Sequence, residues 1–139
     1  MHRPRASDRS ARHVFVYGTL RAGCSNDIRR MRPAPLFIGR AHIDGTLFDF
    51  GSYPGLRLGA GAVVLGEVYE IDSTLEASLD RLEEVEPDGS GEYLKRALDV
   101  HVEGQYLRCL VYEIHPGRIG KQTVITSGDW VRHCAGAKP

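Results

Sequence analysis

The chain carries one segment of helical periodicity among many of strand character, and this imbalance constrains its fold more than any other property. The helix opens at Ser73-Thr-Leu-Glu76, a capping-box pattern. Leu75, Leu79 and Leu82 then recur at helical spacing, and Pro87, Gly89 and Gly91 end the run. Val14-Phe-Val-Tyr17 is β-branched and aromatic and runs into Gly18, as a first strand does. Residues 36–50 are strand-like, with Gly39 and Gly45 where a bend or bulge can sit. Gly51-Ser-Tyr-Pro-Gly55 is a turn cluster and residues 62–71 are a further strand. Two alternating segments, 93–102 and 105–114, meet at Glu103-Gly104, a hairpin pair. Residues 23–35 read as a loop with one helical turn, and Val124-Ile125 leads through Gly128-Asp-Trp130 to a polar tail. Many strands, short turns and one principal helix predict an α+β domain, β-rich, closing into a small mixed barrel.

Length and charge narrow the class further. The 139 residues, 42% hydrophobic, suffice for one core. Lysines and arginines balance the acids at 18 each, so no global field marks a nucleic-acid or membrane binder. Residues 1–32 nevertheless hold eight arginines against Asp8 and Asp27. Residues 1–12 lack apolar periodicity and are expected to form a disordered basic tail ahead of a domain at 13–139. Cys24, Cys109 and Cys134 are odd in number and widely spaced, which suits a reducing compartment. The six histidines show no metal-ligand spacing, so no metal is expected. With no membrane-length apolar run and no signal-peptide core, the expected location is the cytoplasm.

Two places carry chemistry. Tyr17-Gly18-Thr19-Leu20-Arg21 lies where the first strand ends. A glycine there can take positive φ and turn successive N–H groups toward one anion, with Arg21 able to add charged donors. The same residues also suit an ordinary turn. In the helix, Asp80, Glu83, Glu84 and Glu86 follow one another closely. At roughly 100° per residue, Glu83 falls about 40° beyond Leu79, on the margin of the leucine stripe, whereas Asp80 and Glu84 point outward. A carboxyl on such a margin is desolvated and poised to exchange a proton near neutrality. Four solvated surface acids would satisfy the periodicity equally well.

Several motifs in one order resemble the γ-glutamylcyclotransferase-like family, in particular its small bacterial γ-glutamylamine cyclotransferase-like members. They are Tyr17-Gly-Thr-Leu-Arg21 with Gly23 and Asn26, Gly45-Thr-Leu-Phe-Asp-Phe-Gly51, Tyr53-Pro-Gly-Leu56, Gly66-Glu-Val-Tyr69, Leu79-Asp80-x-x-Glu83, Tyr93, and Gly128-Asp-Trp130. The resemblance spans roughly residues 13–130. It implies a mixed barrel with the helix beside the pocket mouth, and an enzyme that closes a γ-glutamyl amide to 5-oxoproline and frees the amine. It further implies that Glu83 is the acid/base and that Tyr17, Gly18, Thr19, Leu20, Arg21 and Tyr93 hold the small-molecule substrate, with no cofactor, nucleic acid or membrane. Two positions depart from the family pattern. Glu84 stands where glycine is frequent, and Lys95 where the family has arginine. An extra acid at Glu84 is expected to raise the pKa of Glu83 or alter which amine fits. Three rivals accompany this reading: a non-catalytic module for a small anion or protein on the same fold, a cysteine hydrolase using Cys24, and nucleic-acid binding through the arginine-rich start.

Overall fold

The computed structural model describes residues 12–136. The expected basic tail therefore lies outside the described residues, except that Arg12 opens the first strand. Five strands form a single sheet: β1 (Arg12–Val16), β2 (Leu36–Asp49), β3 (Pro54–Ile71), β4 (Tyr93–Val102) and β5 (Gln105–Ile114). Two α-helices accompany them, α1 (Ser73–Leu82) and α2 (Trp130–Gly136). The spatial order is β2-β3-β1-β5-β4, with every neighbouring pair antiparallel except β1 and β5.

β1 sits at the centre because it is apolar on both faces. Side chains alternate sides along a strand. Val14 and Val16 pack with Leu75 and Leu79 of α1, while Phe15 and Tyr17 pack with Leu47, Leu56 and Val68 on the other side. Each such burial contributes about 1.5–3 kcal/mol. The two edge strands approach one another. Gly39 of β2 lies so close to β4 and its turn that a Cβ there would sit 2.9 Å from Val102 and 2.8 Å from Glu103. The sheet thus rolls into the small barrel expected, left open along this seam.

Gly39 and Gly45 mark the two places where the β2–β3 register shifts. β3 starts eight residues earlier than anticipated, at Pro54, because Gly59 and Gly61 adopt positive φ and let residues 59–62 bulge out of one continuous strand. The turn before it is correspondingly shorter, closed by Phe50 N–H donating to the Tyr53 carbonyl at 3.0 Å. Glu103 and Gly104 both have positive φ, as a tight two-residue hairpin requires. The loop after β1 contains its single helical turn at Ile28–Arg30, capped by Asp27.

Three expectations for the helices need correction. Asp72, not Ser73, caps α1, its side chain accepting from Leu75 N–H at 2.8 Å. Leu82 is exposed, so the buried stripe stops at Leu79. The polar tail is helical: Asp129 caps α2 through Arg132 N–H, and Trp130 anchors it in the core.

The end of α1 sets the direction of Glu83. Glu83 is the C-cap, and Glu84 follows with φ 54°. Val85 N–H returns to Asp80 C=O at 3.0 Å and Glu84 N–H to Arg81 C=O at 3.1 Å, the paired bonds of a Schellman turn. That turn wants glycine at the left-handed position, which accounts for Glu84 being the residue that departs from the family pattern. Replacing Glu84 by glycine should therefore stabilise the fold by about 1 kcal/mol, read as a higher denaturation midpoint at constant slope. No gain would mean that the Glu84 side chain repays its backbone strain.

Candidate active site

The parallel contact between β1 and β5 is brief: only His13–Cys109 and Val14–Leu110 pair. Beyond Val14 the two strands diverge, and a cleft opens at the C-terminal end of β1. Its walls are Phe15, Val16 and Tyr17 of β1, with Tyr112 of β5 opposite. The bend Gly18–Leu20 forms one end, Tyr53 and Pro54 of the β2–β3 turn cover it, and Glu83 and Tyr93 complete it. This inner arm encloses about 320 Å3, its open mouth included. An outer arm of about 400 Å3 continues from it past Asn26, Leu82 and Glu92, sharing Thr19, Tyr53, Glu83 and Tyr93.

Four phenols hold the cleft in shape. Tyr17 bridges the splayed strands, donating its hydroxyl to Tyr112 C=O at 2.5 Å and accepting from Leu56 N–H at 3.3 Å. Tyr93 donates to Pro54 C=O at 2.9 Å, Tyr53 to Glu92 at 2.5 Å, and Tyr112 to Asp80 at 2.7 Å. Burial keeps Tyr17, Tyr93 and Tyr112 protonated well above the ordinary phenol range. Asp80 also accepts from Lys95 at 2.9 Å, and Lys95 reaches Glu76 as well. The aspartate of Leu79-Asp80-x-x-Glu83 thus ties α1 to β4 and β5, and Glu83 follows within one turn.

Gly18 is not in the left-handed region expected of it. It is required for close approach: a Cβ would lie 2.6 Å from the ring of Pro54. The bend is instead fixed by its outward bonds, Arg21 N–H to Gly18 C=O, Asn26 N–H to Thr19 C=O and Ile28 N–H to Leu20 C=O, all within 3.0 Å. Asn26 also donates its side-chain amide to the Thr19 hydroxyl at 3.1 Å. Gly18, Thr19 and Leu20 line the cleft, and the described residues offer no acceptor to their N–H groups. Main-chain donors left free at a bend form an anion-binding concavity.

Glu83 faces this bend across the cleft. No described residue donates a hydrogen bond to its carboxyl group. Burial, and then the nearby Glu92 carboxylate, push its pKa up to about 7. The neighbouring acid that acts on it is therefore Glu92, from the start of β4, and not Glu84.

Arg21 is not brought to the cleft. It is buried, its Nε bonded to Glu67 at 3.0 Å and an Nη to Asp129 at 2.7 Å. Glu67 in turn accepts from Ala22 N–H and the Tyr69 hydroxyl, both at 3.0 Å. This cluster fastens the bend to β3 and to α2. Cys24 lies in the loop beyond the bend, and burial raises its thiol pKa, the reverse of an activated nucleophile. No histidine among the described residues hydrogen-bonds to it. Tyr53, Pro54, Tyr112 and Glu92 are site residues that the sequence did not single out as such. Tyr53-Pro54 was visible as a turn, but Tyr112 and Glu92 reach the cleft through strand pairing, which leaves no local signal.

A barrel cleft lined by free main-chain donors and one half-buried carboxyl is the class of site that small-molecule enzymes carry. The comparisons narrow the class to a family. Residues 14–132 match the family described as Gamma-glutamyl cyclotransferase, AIG2-like. YtfP of Escherichia coli K12, a γ-glutamylcyclotransferase family protein, is 34% identical over 119 residues, covering 85% of this chain and 95% of that protein. The γ-L-glutamyl-butirosin B γ-glutamyl cyclotransferase of Niallia circulans is 44% identical over 73 residues, or 52% of this chain and 46% of that protein. The crystal structure of a mouse AIG2-like protein superposes with a TM-score of 0.63 at 32% identity, covering 74% of this chain and 76% of that one. The chain belongs to the γ-glutamyl cyclotransferase, AIG2-like family, and is a cyclotransferase enzyme. Among the described residues no helix is long and apolar enough to cross a membrane.

The raised pKa of Glu83 has a consequence for stability. A carboxyl that holds its proton more tightly when folded costs the folded state nothing below the ordinary carboxylate range. The cost grows as pH rises toward about 7 and then levels off. Thermal melts of Glu83→Gln and the natural protein should therefore separate with pH, the variant gaining between pH 4 and pH 8. A difference that stays constant with pH would mean that Glu83 ionises as it does in water.

Proposed function

We propose that the enzyme converts a γ-glutamyl amine or γ-glutamyl amino acid to 5-oxoproline and the free amine, with Glu83 as general acid and base. The observation that carries this reading is that Glu83 lines one cleft with Gly18, Thr19 and Leu20, whose amides have no acceptor among the described residues. The γ-glutamyl half lies in the inner arm, its anionic oxygens facing those amides, and Tyr17 and Tyr93 form the walls against its carbon chain. Arg21 acts at one remove, holding the bend in place through Glu67 and Asp129.

The substrate carries its own nucleophile. Its α-ammonium must lose a proton before the nitrogen can attack the γ-carbonyl carbon, and a carboxylate with a pKa of about 7 is well matched to take it. Holding the two reacting atoms together makes the attack an intramolecular five-membered closure. As the new C–N bond forms, the carbonyl oxygen becomes an oxyanion, which the main-chain donors stabilise in place. Glu83 then delivers that proton to the leaving nitrogen and the amide bond breaks; the carboxylate takes a second proton from the ring nitrogen and passes it to the released amine. Of the three ammonium protons, one stays on the lactam nitrogen and two end on the released amine, which leaves as an ammonium ion. No group of the protein is covalently modified.

The thiols of Cys24 and Cys109, not joined in a disulfide, support a reducing, cytoplasmic setting. A module that only binds an anion on the same fold has no need of an unpaired carboxyl in its cleft. Incubating the protein with γ-glutamyl amides and measuring 5-oxoproline separates the two. Glu83→Gln should lower turnover by about 10²–10⁴-fold. In the natural enzyme, activity should rise with pH through a midpoint near 7, where the carboxyl becomes a base. Full turnover by the Gln variant would move the role to another group.

A further inference from the structure

The outer arm of the cleft has a feature that cyclisation itself does not use. Glu92 lines it beside Glu83. Its backbone is pinned on both sides: Glu92 N–H donates to Glu84 C=O at 3.1 Å, and His115 N–H donates to Glu92 C=O at 2.9 Å. Gly91 before it lies so close beneath the Schellman turn that a Cβ would sit 1.9 Å from the Glu84 carbonyl oxygen. The side chain is held at one oxygen, Oε2, by the Tyr53 hydroxyl. Tyr53 is stacked on Phe50 with ring centroids 5.7 Å apart. Among the described residues the other oxygen has no hydrogen-bond donor, and no lysine, arginine or histidine forms an ion pair with Glu92.

The charges around it leave this carboxylate unmatched. Glu83 shares the arm, Glu84 is close enough to act on the Tyr53 hydroxyl, and Arg118 opposes both there without pairing with Glu92. Lys95 is already engaged with Glu76 and Asp80 of α1. A half-buried carboxylate with one free oxygen gains most from a cation that arrives with the ligand.

Glu83 is common to both arms, and the nitrogen that receives its proton must face it. The γ-glutamyl half occupies the inner arm, so the rest of the leaving amine extends along the outer one, past Glu92. We infer that Glu92 selects the amine by charge, favouring γ-glutamyl amides whose amine half bears a second, positively charged group a few bonds from the scissile nitrogen. This assignment rests on the cyclisation reading and adds to it the class of amine released. A neutral amine leaves Glu92 uncompensated, and an acidic one meets it as a like charge.

A pair of substrates matched in length tests the assignment: mono-γ-glutamyl-cadaverine, with a terminal ammonium, and γ-glutamyl-pentylamine, with a methyl group in its place. The natural enzyme should show kcat/KM for 5-oxoproline formation about tenfold or more higher with the first, and the ratio should fall as salt is added. Glu92→Gln keeps an acceptor for Tyr53 and removes the charge, so the ratio should collapse toward one. A role confined to holding Tyr53 would leave the ratio as it was. Equal efficiency with both substrates, or the same ratio in the variant, overturns the charge selection while cyclisation stands. If neither amide yields 5-oxoproline, the cyclisation reading fails and the inference falls with it. Should the variant not fold, the salt dependence of the natural enzyme's ratio decides: a ratio insensitive to salt rejects the role of Glu92.

Discussion

A carboxyl group withheld from water without a partner is an unfavourable arrangement, and most of this structure serves to maintain one. Glu83 sits at the C-cap of α1. The Schellman turn at Glu84 stops the helix at that residue. Asp80, through Lys95 and Tyr112, fixes the rotation and position of the last turn against β4 and β5. The carboxyl is thereby held at the edge of the gap where β1 and β5 part. Desolvation raises its proton affinity only because these contacts deny it an outward path.

The second requirement is a set of donors across the gap, and here the chain uses backbone. The carbonyl groups of the bend after β1 accept from Arg21, Asn26 and Ile28, while the amides of residues 18–20 have no acceptor among the described residues. The buried Arg21–Glu67–Asp129 cluster and the close contact of Gly18 with Pro54 keep it there. Removing one member of such a buried charge cluster leaves the others uncompensated. Arg21 thus holds the bend in place without facing the cleft.

Much of the architecture was legible in the order of residues. The β4–β5 hairpin, the bulges at Gly39 and Gly45 and the leucine face of α1 as far as Leu79 are local patterns with local causes, and they appear where periodicity and turn chemistry put them. The early start of β3 was hidden by Gly59 and Gly61, which read as a break although the strand resumes beyond them. The capping residue was misjudged by one position because Asp72 and Ser73 are both competent caps and only one is extended. In the site, helix geometry could put Glu83 on a margin but could not say what lay across from it. Tyr112, Glu92 and the covering Tyr53 come from distant parts of the chain, and their convergence depends on how far two parallel strands diverge.

The two arms of the cleft are built from different materials. In the inner arm the hydrogen-bond donors left free belong to the main chain, and amino-acid replacement cannot delete a main-chain amide except by proline. The outer arm adds the side chains of Asn26 and Glu92, each open to exchange by a single mutation. Drift in such a protein would be channelled. The part of a ligand read by the inner arm stays constant across descendants, and the part read by the outer arm is free to diversify without disturbing the fold.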